Sequence, residues 1–317
     1  MTSIVTLTMN PAIDMATRTD HVVPTDKMRC ESPRFDPGGG GINVARTVTV
    51  LGGAAMAVFP SGGPSGVLLE QLVRDAGVPT HPVAVAEPTR ESLSVTDIGS
   101  GQQFRFVFPG PRLTAPEKHR CLAAVDRTVR GGRYLVASGS LPPGLPVDFY
   151  QELADLVGGL GVRLVLDASG SALRHIRTGV HVLKPSVREL AECVGHPLPG
   201  RAEQAAAARQ LVTSGVSEIV VLSLGAEGAL AVTRDMQEWF DAIHVPVRSG
   251  IGAGDAMVAG LTVGLDRGLA LADAVRLGIA AASAALVTPG TRPGRPERIA
   301  ELYRSISPNA EPSGIWP

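Results

Sequence analysis

Aromatic residues are scarce in this sequence, at only 4% of its 317 positions. Hydrophobic residues nevertheless make up 44%, so the core must consist mainly of Val, Leu, Ala and Ile. A chain of this length buries enough apolar surface to fold without disulfides or metal ions. The 37 glycines and 25 prolines indicate many tight turns between short elements. One large α/β domain fits these features, although the length alone would also allow two domains.

The sequence also lacks a block of basic residues, and its formal net charge is −1. This argues against nucleic acid or an anionic membrane as a partner. The three cysteines, Cys30, Cys121 and Cys193, show no CxxC spacing, which is typical of free thiols in a reducing cytosol. No signal peptide is apparent, and the longest mostly apolar stretch, 277–287, is too short to span a bilayer. We therefore expect a cytoplasmic protein.

From about residue 130, apolar stretches alternate regularly with helical patterns. Strands are predicted at residues 133–140, 163–169, 181–186 and 218–225. Continuous apolar strands separated by helices indicate a parallel sheet that is covered on both faces. Polar residues stand where these strands end, namely Ser138, Ser140, Asp167, Lys184 and Ser223. Ligands bind at this edge of open α/β sheets, so we expect the functional site there.

The N-terminal third has a different pattern. Segments 14–36 and 88–108 alternate polar and apolar residues, as strands with one solvated face do. We interpret them as an antiparallel excursion from the main sheet that could form a lid. The predicted domain covers residues 1–307, and the Pro- and Gly-containing tail at 308–317 is expected to be loose.

Small residues crowd the stretch SGIGAGDAMVAG at 249–260, just before an apolar helical pattern. Gly252, Ala253 and Gly254 would leave backbone N–H groups bare at the start of that helix. Such a terminus carries partial positive charge and binds phosphate oxygens. Asp255 in the first turn is either an ordinary early-helix residue or a base beside an anion hole.

A second glycine cluster, PGGGGINVAR, occupies residues 37–46. Its four consecutive glycines either bring the backbone close to a ligand or form a flexible turn, and Asn43 could bind a polyhydroxylated ligand or cap a helix. The cluster lacks the GK[ST] of a Walker A loop, and no GxGxxG follows the first strand. Residues 223–232 predict a strand, a glycine turn and a short strand, which would suit an adenine ring or an ordinary hairpin.

Together, GGGGINVAR and GAGDAMVAG closely resemble the two signatures of the ribokinase-like (PfkB) sugar kinases, and the resemblance extends over residues 4–305. The strings TLTMNPAID, KMRC and ASGSLPPG look like the phosphofructokinase branch of that family. The resemblance implies a three-layer α/β fold with a mainly parallel sheet flanked by helices and a small β lid. It also implies ATP-dependent phosphorylation of fructose 6-phosphate, with tagatose 6-phosphate or fructose 1-phosphate as alternative substrates. A non-catalytic sensor of sugar phosphate or nucleotide is a weaker alternative, because GAGD is intact.

The resemblance further implies roles for individual residues on the sugar side. Asp255 would deprotonate the sugar hydroxyl, and Gly252, Ala253 and Gly254 would form the anion hole. The implied substrate contacts are Asp14, Gly39, Gly40, Asn43, Arg90, Arg105 and Ser140. Arg90 and Arg105 suit a phosphate because guanidinium binds it bidentately. Lys27 and Arg29 would reach phosphates from the lid, one of them across the interface of a homodimer that pairs through its lids.

ATP and Mg²⁺ are the implied cofactors, with K⁺ as a further expectation. The nucleotide positions are Lys184, Ser186, Glu189, Ser223, Gly225, Gly228 and Ser283. The monovalent cation positions are Ser249, Ile251, Ala285, Thr288, Gly290 and Arg292. In one departure, Ser186 stands where the family's NxxE motif has Asn, while Glu189 is kept. We therefore expect altered handling of Mg²⁺, with the catalytic groups intact.

Overall fold

The fold is described by a computed structural model over residues 2–307, so the predicted tail at 308–317 lies outside the described residues. The strands are β1 Ile4–Leu7, β2 Ala12–Thr19, β3 Arg34–Gly38, β4 Ala55–Ser61, β5 Thr80–Ala84, β6 Arg90–Asp97, β7 Gln103–Val107, β8 Tyr134–Gly139, β9 Arg163–Ala168, β10 Val180–Leu183, β11 Ser217–Ser223, β12 Ala229–Val232 and β13 Gln237–Phe240. The helices are α1 Gly40–Val50, α2 Gly63–Asp75, α3 Ala115–Val129, α4 Phe149–Gly158, α5 Val187–Val194, α6 Arg201–Thr213, α7 Ala253–Asp266, α8 Leu271–Leu286 and α9 Pro296–Ile306.

A large sheet runs through the described part of the chain in the order β13-β12-β11-β10-β9-β8-β1-β4-β5. Its strands pair in parallel from β5 to β11, and only β12 and β13 add antiparallel pairs at one edge. The predicted fold class, a mainly parallel sheet flanked by helices, is confirmed. The four strands predicted after residue 130 are β8, β9, β10 and β11, with ends that differ by up to three residues.

Each face of this sheet has its own apolar core. Neighbouring residues of one strand enter opposite cores, as Ile4 and Val5 do in β1. Helices α1, α7, α8 and α9 cover the face to which Ile4 points, and α3, α4 and α6 cover the other. Because strands buried on both faces need apolar residues at nearly every position, their sequence is continuous rather than alternating.

Helices α7 and α8 pack closely enough that glycine is required at their contact. A Cβ on Gly260 would lie 2.6 Å from the carbonyl oxygen of Leu277, and one on Gly278 would lie 2.7 Å from that of Met257. Real Cβ atoms do not approach backbone so closely, so larger residues would force the helices apart. This contact lies less than two turns along α7 from Asp255 and therefore helps to fix that residue.

A second sheet, here called the small sheet, contains β3, β2, β6 and β7 in that order. The segments 14–36 and 88–108 do supply its strands, but the prediction that they pair as an antiparallel unit was wrong in one respect. The central pair, β2 and β6, is parallel, and only the outer pairs are antiparallel. The reason is topological: β2 and β6 are separated by β3, α1, β4, α2 and β5, and this long crossover allows parallel pairing.

Within residues 2–307, no helix combines the length and the apolar character needed to cross a membrane. The cysteines of this part of the chain are unbridged, with Cys30 exposed and Cys121 buried.

Candidate active site

Asp255 lies in the first turn of α7, at the carboxyl-end edge of the large sheet. Gly252 adopts a left-handed conformation with φ 79° immediately before the helix, a conformation that glycine reaches at no steric cost. The next residues, Ala253 and Gly254, begin α7, and the first N–H groups of a helix have no partner within it. The predicted anion hole is therefore a helix N-terminus with little side chain above it.

The Asp255 carboxylate accepts two side-chain hydrogen bonds from separate elements. Ser138 Oγ, near the end of β8, donates to Oδ1 at 3.1 Å, and Asn43 Nδ2 in α1 donates to Oδ2 at 3.0 Å. Burial, with a further contribution from the Asp167 charge, raises the pKa of Asp255 to about 7, although the two hydrogen bonds oppose this shift. A carboxylate that titrates near neutrality is suited to act as a general base.

Lys184 and Asp167 form an ion pair next to the start of α7. Lys184 Nζ lies 3.0 Å from Asp167 Oδ1, and the side chains are only 5% and 13% exposed. Burial alone would lower the pKa of Lys184, but the neighbouring carboxylates of Asp167, Glu189 and Asp255 raise it, so the ammonium stays charged. A Cβ on Gly254 would lie 3.7 Å from Lys184 Nζ, which puts this charge directly beside the predicted anion hole.

The glycine cluster at 37–46 brings α1 against the end of β8. Gly39 has φ 110° and precedes α1, and a Cβ on Gly40 would lie 2.2 Å from Ser138 Oγ. The four glycines thus serve close approach of backbone to the site. Asn43 does not cap the helix but points its amide at Asp255.

Residues of the small sheet form the opposite wall of the site. Asp14 in β2 and Arg105 in β7 line one open cleft of about 570 Å³. Burial raises the pKa of Asp14 to about 6, while the charges of Arg90 and Arg105 oppose the shift. Gly38 leaves room for the Asp14 carboxylate, because a Cβ there would lie 2.4 Å from Oδ2.

Arg90 at the start of β6 reaches the carbonyl oxygens of Asn10 at 3.2 Å and Phe108 at 3.3 Å. Its buried Nε has no protein partner. Asn10 in turn donates from Nδ2 to Ser140 Oγ at 3.0 Å, which links Arg90 to another predicted substrate contact. An arginine held by carbonyls, with spare donors, is arranged to receive an anion.

Lys27 and Arg29 are not brought to this cleft. Both are exposed in the segment between β2 and β3, and neither is among the described residues that line the 570 Å³ cleft. Their predicted contacts would have to come from movement of this segment or from a second copy of the chain.

A second cleft, of about 400 Å³, opens at the start of α7. The predicted nucleotide residues Ser223, Gly225, Gly228 and Ser283 line it, together with Ala253 and Gly254 of the helix start. Apolar side chains such as Ile243, Val245 and Met257 supply much of the remaining surface. A mainly apolar cleft that reaches the N–H groups at the start of a helix suits a purine base in its apolar part and phosphates at the helix start.

The chain matches the pfkB family carbohydrate kinases over residues 4–298. It is 53% identical to the ATP-dependent 6-phosphofructokinase isozyme 2 of Mycobacterium tuberculosis over 91% of this chain and 85% of that one. It is 39% identical to the Escherichia coli protein of the same name over 97% of this chain and 100% of the other. The chain belongs to the pfkB family of carbohydrate kinases.

Solved structures of the Escherichia coli phosphofructokinase-2 are similar along the whole chain. The complex with fructose-6-phosphate has a TM-score of 0.91 at 38% identity, covering 97% of this chain and 100% of that one. The complex with potassium has a TM-score of 0.93 at the same identity and the same coverage.

In this pfkB kinase, Ser186, which replaces the Asn of the family's NxxE motif, caps a helix. Ser186 precedes α5, and its hydroxyl accepts from the Glu189 N–H at 3.3 Å. Glu189 Oε2 in return accepts from both the N–H and the Oγ of Ser186, each at 2.8 Å. This reciprocal capping box holds the helix start, and it points the Ser186 side chain at Glu189.

The predicted cation positions come together in two adjoining loops of the kinase. Thr288 Oγ1 lies within hydrogen-bonding distance of two carbonyl oxygens, that of Ala285 at 2.8 Å and that of Arg292 at 2.5 Å. The N–H of Ser249 donates to the Leu286 carbonyl at 3.2 Å, which joins the loop before α7 to the loop after α8. Gly290 packs against Arg34, and the Ile251 N–H donates to Ser249 Oγ at 3.2 Å. The described residues contain no cluster of three His, Cys, Asp or Glu residues that could hold a metal.

Two residues that the sequence analysis gave no role also belong to the site. Asp167 was noted only as a polar residue at a strand end, and it proves to be the partner of Lys184. Arg46 is buried and contacts Asn43. A charged residue inside the apolar pattern of α1 was the available signal for Arg46.

Proposed function

We propose that this kinase transfers the γ-phosphoryl group of ATP to O1 of fructose 6-phosphate, giving fructose 1,6-bisphosphate and ADP. The observation that carries the proposal is the placement of Asp255 at the start of α7, because Ser249 and Ile251 before this helix line the first cleft while Ala253 and Gly254 at its start line the second. One cleft has the apolar lining that suits a nucleoside, and the other has the arginines that suit a sugar phosphate. The names of the relatives and of the similar structures support the same substrate.

In the proposed reaction, Asp255 accepts the proton of the O1 hydroxyl as that oxygen attacks the γ-phosphorus in line. The hydroxyl approaches from the side of Asn43 and Ser138, both of which already hold the carboxylate. The bare N–H groups at the start of α7 donate to the transferring phosphoryl oxygens, where negative charge develops. Lys184, held by Asp167 beside Gly254, adds a positive charge on the nucleotide side.

Substrate orientation falls to the small sheet. Arg90 and Arg105 bind the 6-phosphate through charge-assisted hydrogen bonds, and Asp14 accepts hydrogen bonds from sugar hydroxyls. Closure of the small sheet over the sugar excludes water and limits hydrolysis of ATP. Two copies of the chain pair through their small sheets, whose exposed apolar residues include Phe106, Val107 and Phe108. In this dimer Lys27 and Arg29 reach the phosphates.

Two cations complete the proposed site. The Glu189 carboxylate, with Ser186 beside it, would hold an ATP-bound Mg²⁺ through its bound water, and the ion would supply positive charge to the phosphates. The oxygens of Ala285, Thr288 and Arg292 that cluster beside α7 have the chemistry that suits K⁺. The potassium complex of the similar Escherichia coli protein supports this part of the proposal.

The test is a coupled assay of ADP release with MgATP and K⁺, comparing kcat/KM for fructose 6-phosphate, tagatose 6-phosphate and fructose 1-phosphate. We expect a clear preference for fructose 6-phosphate, with some activity on its epimer because one hydroxyl separates the two. Preference for another phosphate would keep the mechanism and replace the substrate. Binding of ATP without turnover of any of the three would overturn the enzymatic proposal.

A further inference from the structure

We propose that Arg46 is a positioning residue for phosphoryl transfer, which fixes the Asn43 amide so that this amide donates to Asp255. The inference rests on the proposed function only for the role of Asp255 as base. Arg46 and Asn43 are separated by one turn of α1, so their side chains lie on the same face of the helix.

The orientation of the Asn43 amide follows from the contacts on its two sides. Arg46 Nη1 lies 3.3 Å from Asn43 Oδ1, and Asn43 Nδ2 lies 3.0 Å from Asp255 Oδ2. A guanidinium group only donates and an ionised carboxylate only accepts. The arginine therefore requires the amide oxygen on its own side, and the amide nitrogen must then face the carboxylate.

The same guanidinium nitrogen is anchored to two further segments. Arg46 Nη1 donates to the carbonyl of Pro37 at 3.2 Å, just before the glycine cluster. It also reaches Thr291, at 3.1 Å from the carbonyl and 3.3 Å from Oγ1, in the loop before α9. Anchors on three segments leave the guanidinium little freedom, so it can hold the amide in one orientation.

The burial of Arg46 indicates that it does more than fill space. It is only 7% exposed in a helix that is buried on most sides, with Ile42, Val44 and Val48 among its other buried residues. Burial lowers its pKa, while the Asp36 and Asp14 charges oppose this shift. Apolar side chains of similar volume usually fill such positions at equal or lower cost in stability. A retained buried charge at this position is explained by what it orients.

Loss of Arg46 would free the amide to rotate by half a turn. When Asp255 is protonated, the rotated amide would accept its carboxyl proton at Asn43 Oδ1, and this contact would favour the protonated form over the ionised base. The carboxylate would lose a hydrogen bond that favours its ionised form, and it would no longer be held toward the sugar hydroxyl. We therefore expect the chemical step to slow while substrate binding changes little.

A double-mutant cycle in kcat tests this coupling with the sugar phosphate that the wild type uses best. Arg46→Met should lower kcat by roughly 10- to 100-fold, as misplacement of a reacting group does, and should leave KM within about threefold. In an Asn43→Ala background the same change should lower kcat by less than about twofold, because its target is gone. Equal effects in both backgrounds, or a change in KM alone, would overturn the proposal.

Stability is followed in parallel by thermal unfolding. Thr49→Val serves as the matched control, because it removes another side-chain bond within α1, from Thr49 Oγ1 to the Ala45 carbonyl, without contacting Asn43. Its kcat should remain within about twofold of wild type. If Arg46→Met fails to fold, Arg46→Lys replaces it in the cycle, since it keeps the charge but ends in a compact ammonium that does not reproduce the position of Arg46 Nη1 between Asn43 and Thr291.

A second readout does not need turnover. The Asp255 carboxyl is titrated by ¹³C NMR in the unliganded protein, where Asn43, Ser138, Asp167 and Lys184 are the polar groups that act on it. Arg46→Met and Asn43→Ala should each raise its pKa, and the double variant should raise it no further. An unchanged pKa in Arg46→Met would overturn the inference. Failure of all three sugar phosphates in the assay would overturn only the proposed function.

Discussion

The two walls of the site differ in how completely their charges are paired. Around Asp255, polar side chains from α1, β8, β9 and β10 satisfy one another, and Asn43, Ser138 and Lys184 are each less than 7% exposed. Across the cleft, Asp14 and Arg90 of the small sheet are half-buried, and Arg105 is exposed. The polar groups around Asp255 are therefore buried and paired, whereas those of the small sheet are more exposed.

In the proposed function, this difference gives the two walls different tasks. Preorganised groups in a water-poor setting cost no reorganisation at the moment of reaction, which suits the phosphoryl-transfer side. Exposed charges on a separate sheet can adapt to a ligand and release it, which suits the sugar side. Changes at the Asp255 wall should therefore act on kcat or on stability, and changes at the small sheet should act on KM.

The most direct test of the wall around Asp255 is the Asp255→Asn variant, which asks whether this residue is the base. Asparagine has nearly the same volume but accepts no proton, so kcat should fall by about 10²- to 10⁴-fold. Calorimetric titration should show sugar phosphate and nucleotide still binding with affinities within about tenfold of wild type. Near-normal turnover by this variant would mean that another group is the base.

Lys184→Met should have the largest effect on stability. Removing one partner of a buried ion pair leaves the other uncompensated, which typically costs about 3–5 kcal/mol. Urea unfolding should show this loss, and the double variant Lys184→Met/Asp167→Asn should recover most of it because no lone charge remains. Equal stability of the single and double variants would show that the pair is not coupled.

The sequence predicted the main architecture well because that architecture depends on local pattern. Continuous apolar strands predicted the parallel sheet, and GAGD predicted the bare start of α7. The parallel pairing of β2 with β6 was missed because register between distant segments leaves no local signature. Asp167 and Arg46 were likewise missed as site residues. Asp167 gains its partner only when β9 lies beside Lys184, and Arg46 only when Thr291 and Asp255 are brought to Arg46 and Asn43 from far along the chain.

On the small sheet, Arg105→Ala and Arg90→Ala should raise KM for the sugar phosphate. A charge-assisted hydrogen bond contributes about 1.5–3 kcal/mol, which corresponds to roughly a 10- to 100-fold change in affinity. Arg90→Ala should have the larger effect, because Arg90 is also held by the carbonyls of Asn10 and Phe108. The KM for ATP is the internal control, and a sugar KM that neither variant changes would move the phosphate site elsewhere.

The pH dependence of kcat/KM should follow the ionisation of Asp255. Because burial raises the pKa of Asp255 to about 7, the base is protonated below this pH and ionised above it. In the free enzyme, kcat/KM should therefore level off above pH 7 and fall by about tenfold for each pH unit below it. Below about pH 6 protonation of Asp14, whose pKa burial also raises, should steepen the fall. A flat profile between pH 6 and 8 would contradict the assignment of the base.

The smallest effects should come from substitutions of Ser186, which lies at the edge of the wall around Asp255. Ser186→Ala removes the N-cap of α5 and should cost about 1 kcal/mol of unfolding free energy. Ser186→Asn should change stability by less than about 0.5 kcal/mol, because Asn caps helices as well as Ser does. Its longer amide would come closer to a Mg²⁺ ion that Glu189 would hold through water, so the Mg²⁺ concentration for half-maximal activity should fall at fixed ATP. If Ser186→Ala and Ser186→Asn shift that concentration equally, the side chain at this position acts on α5 alone and not on the metal.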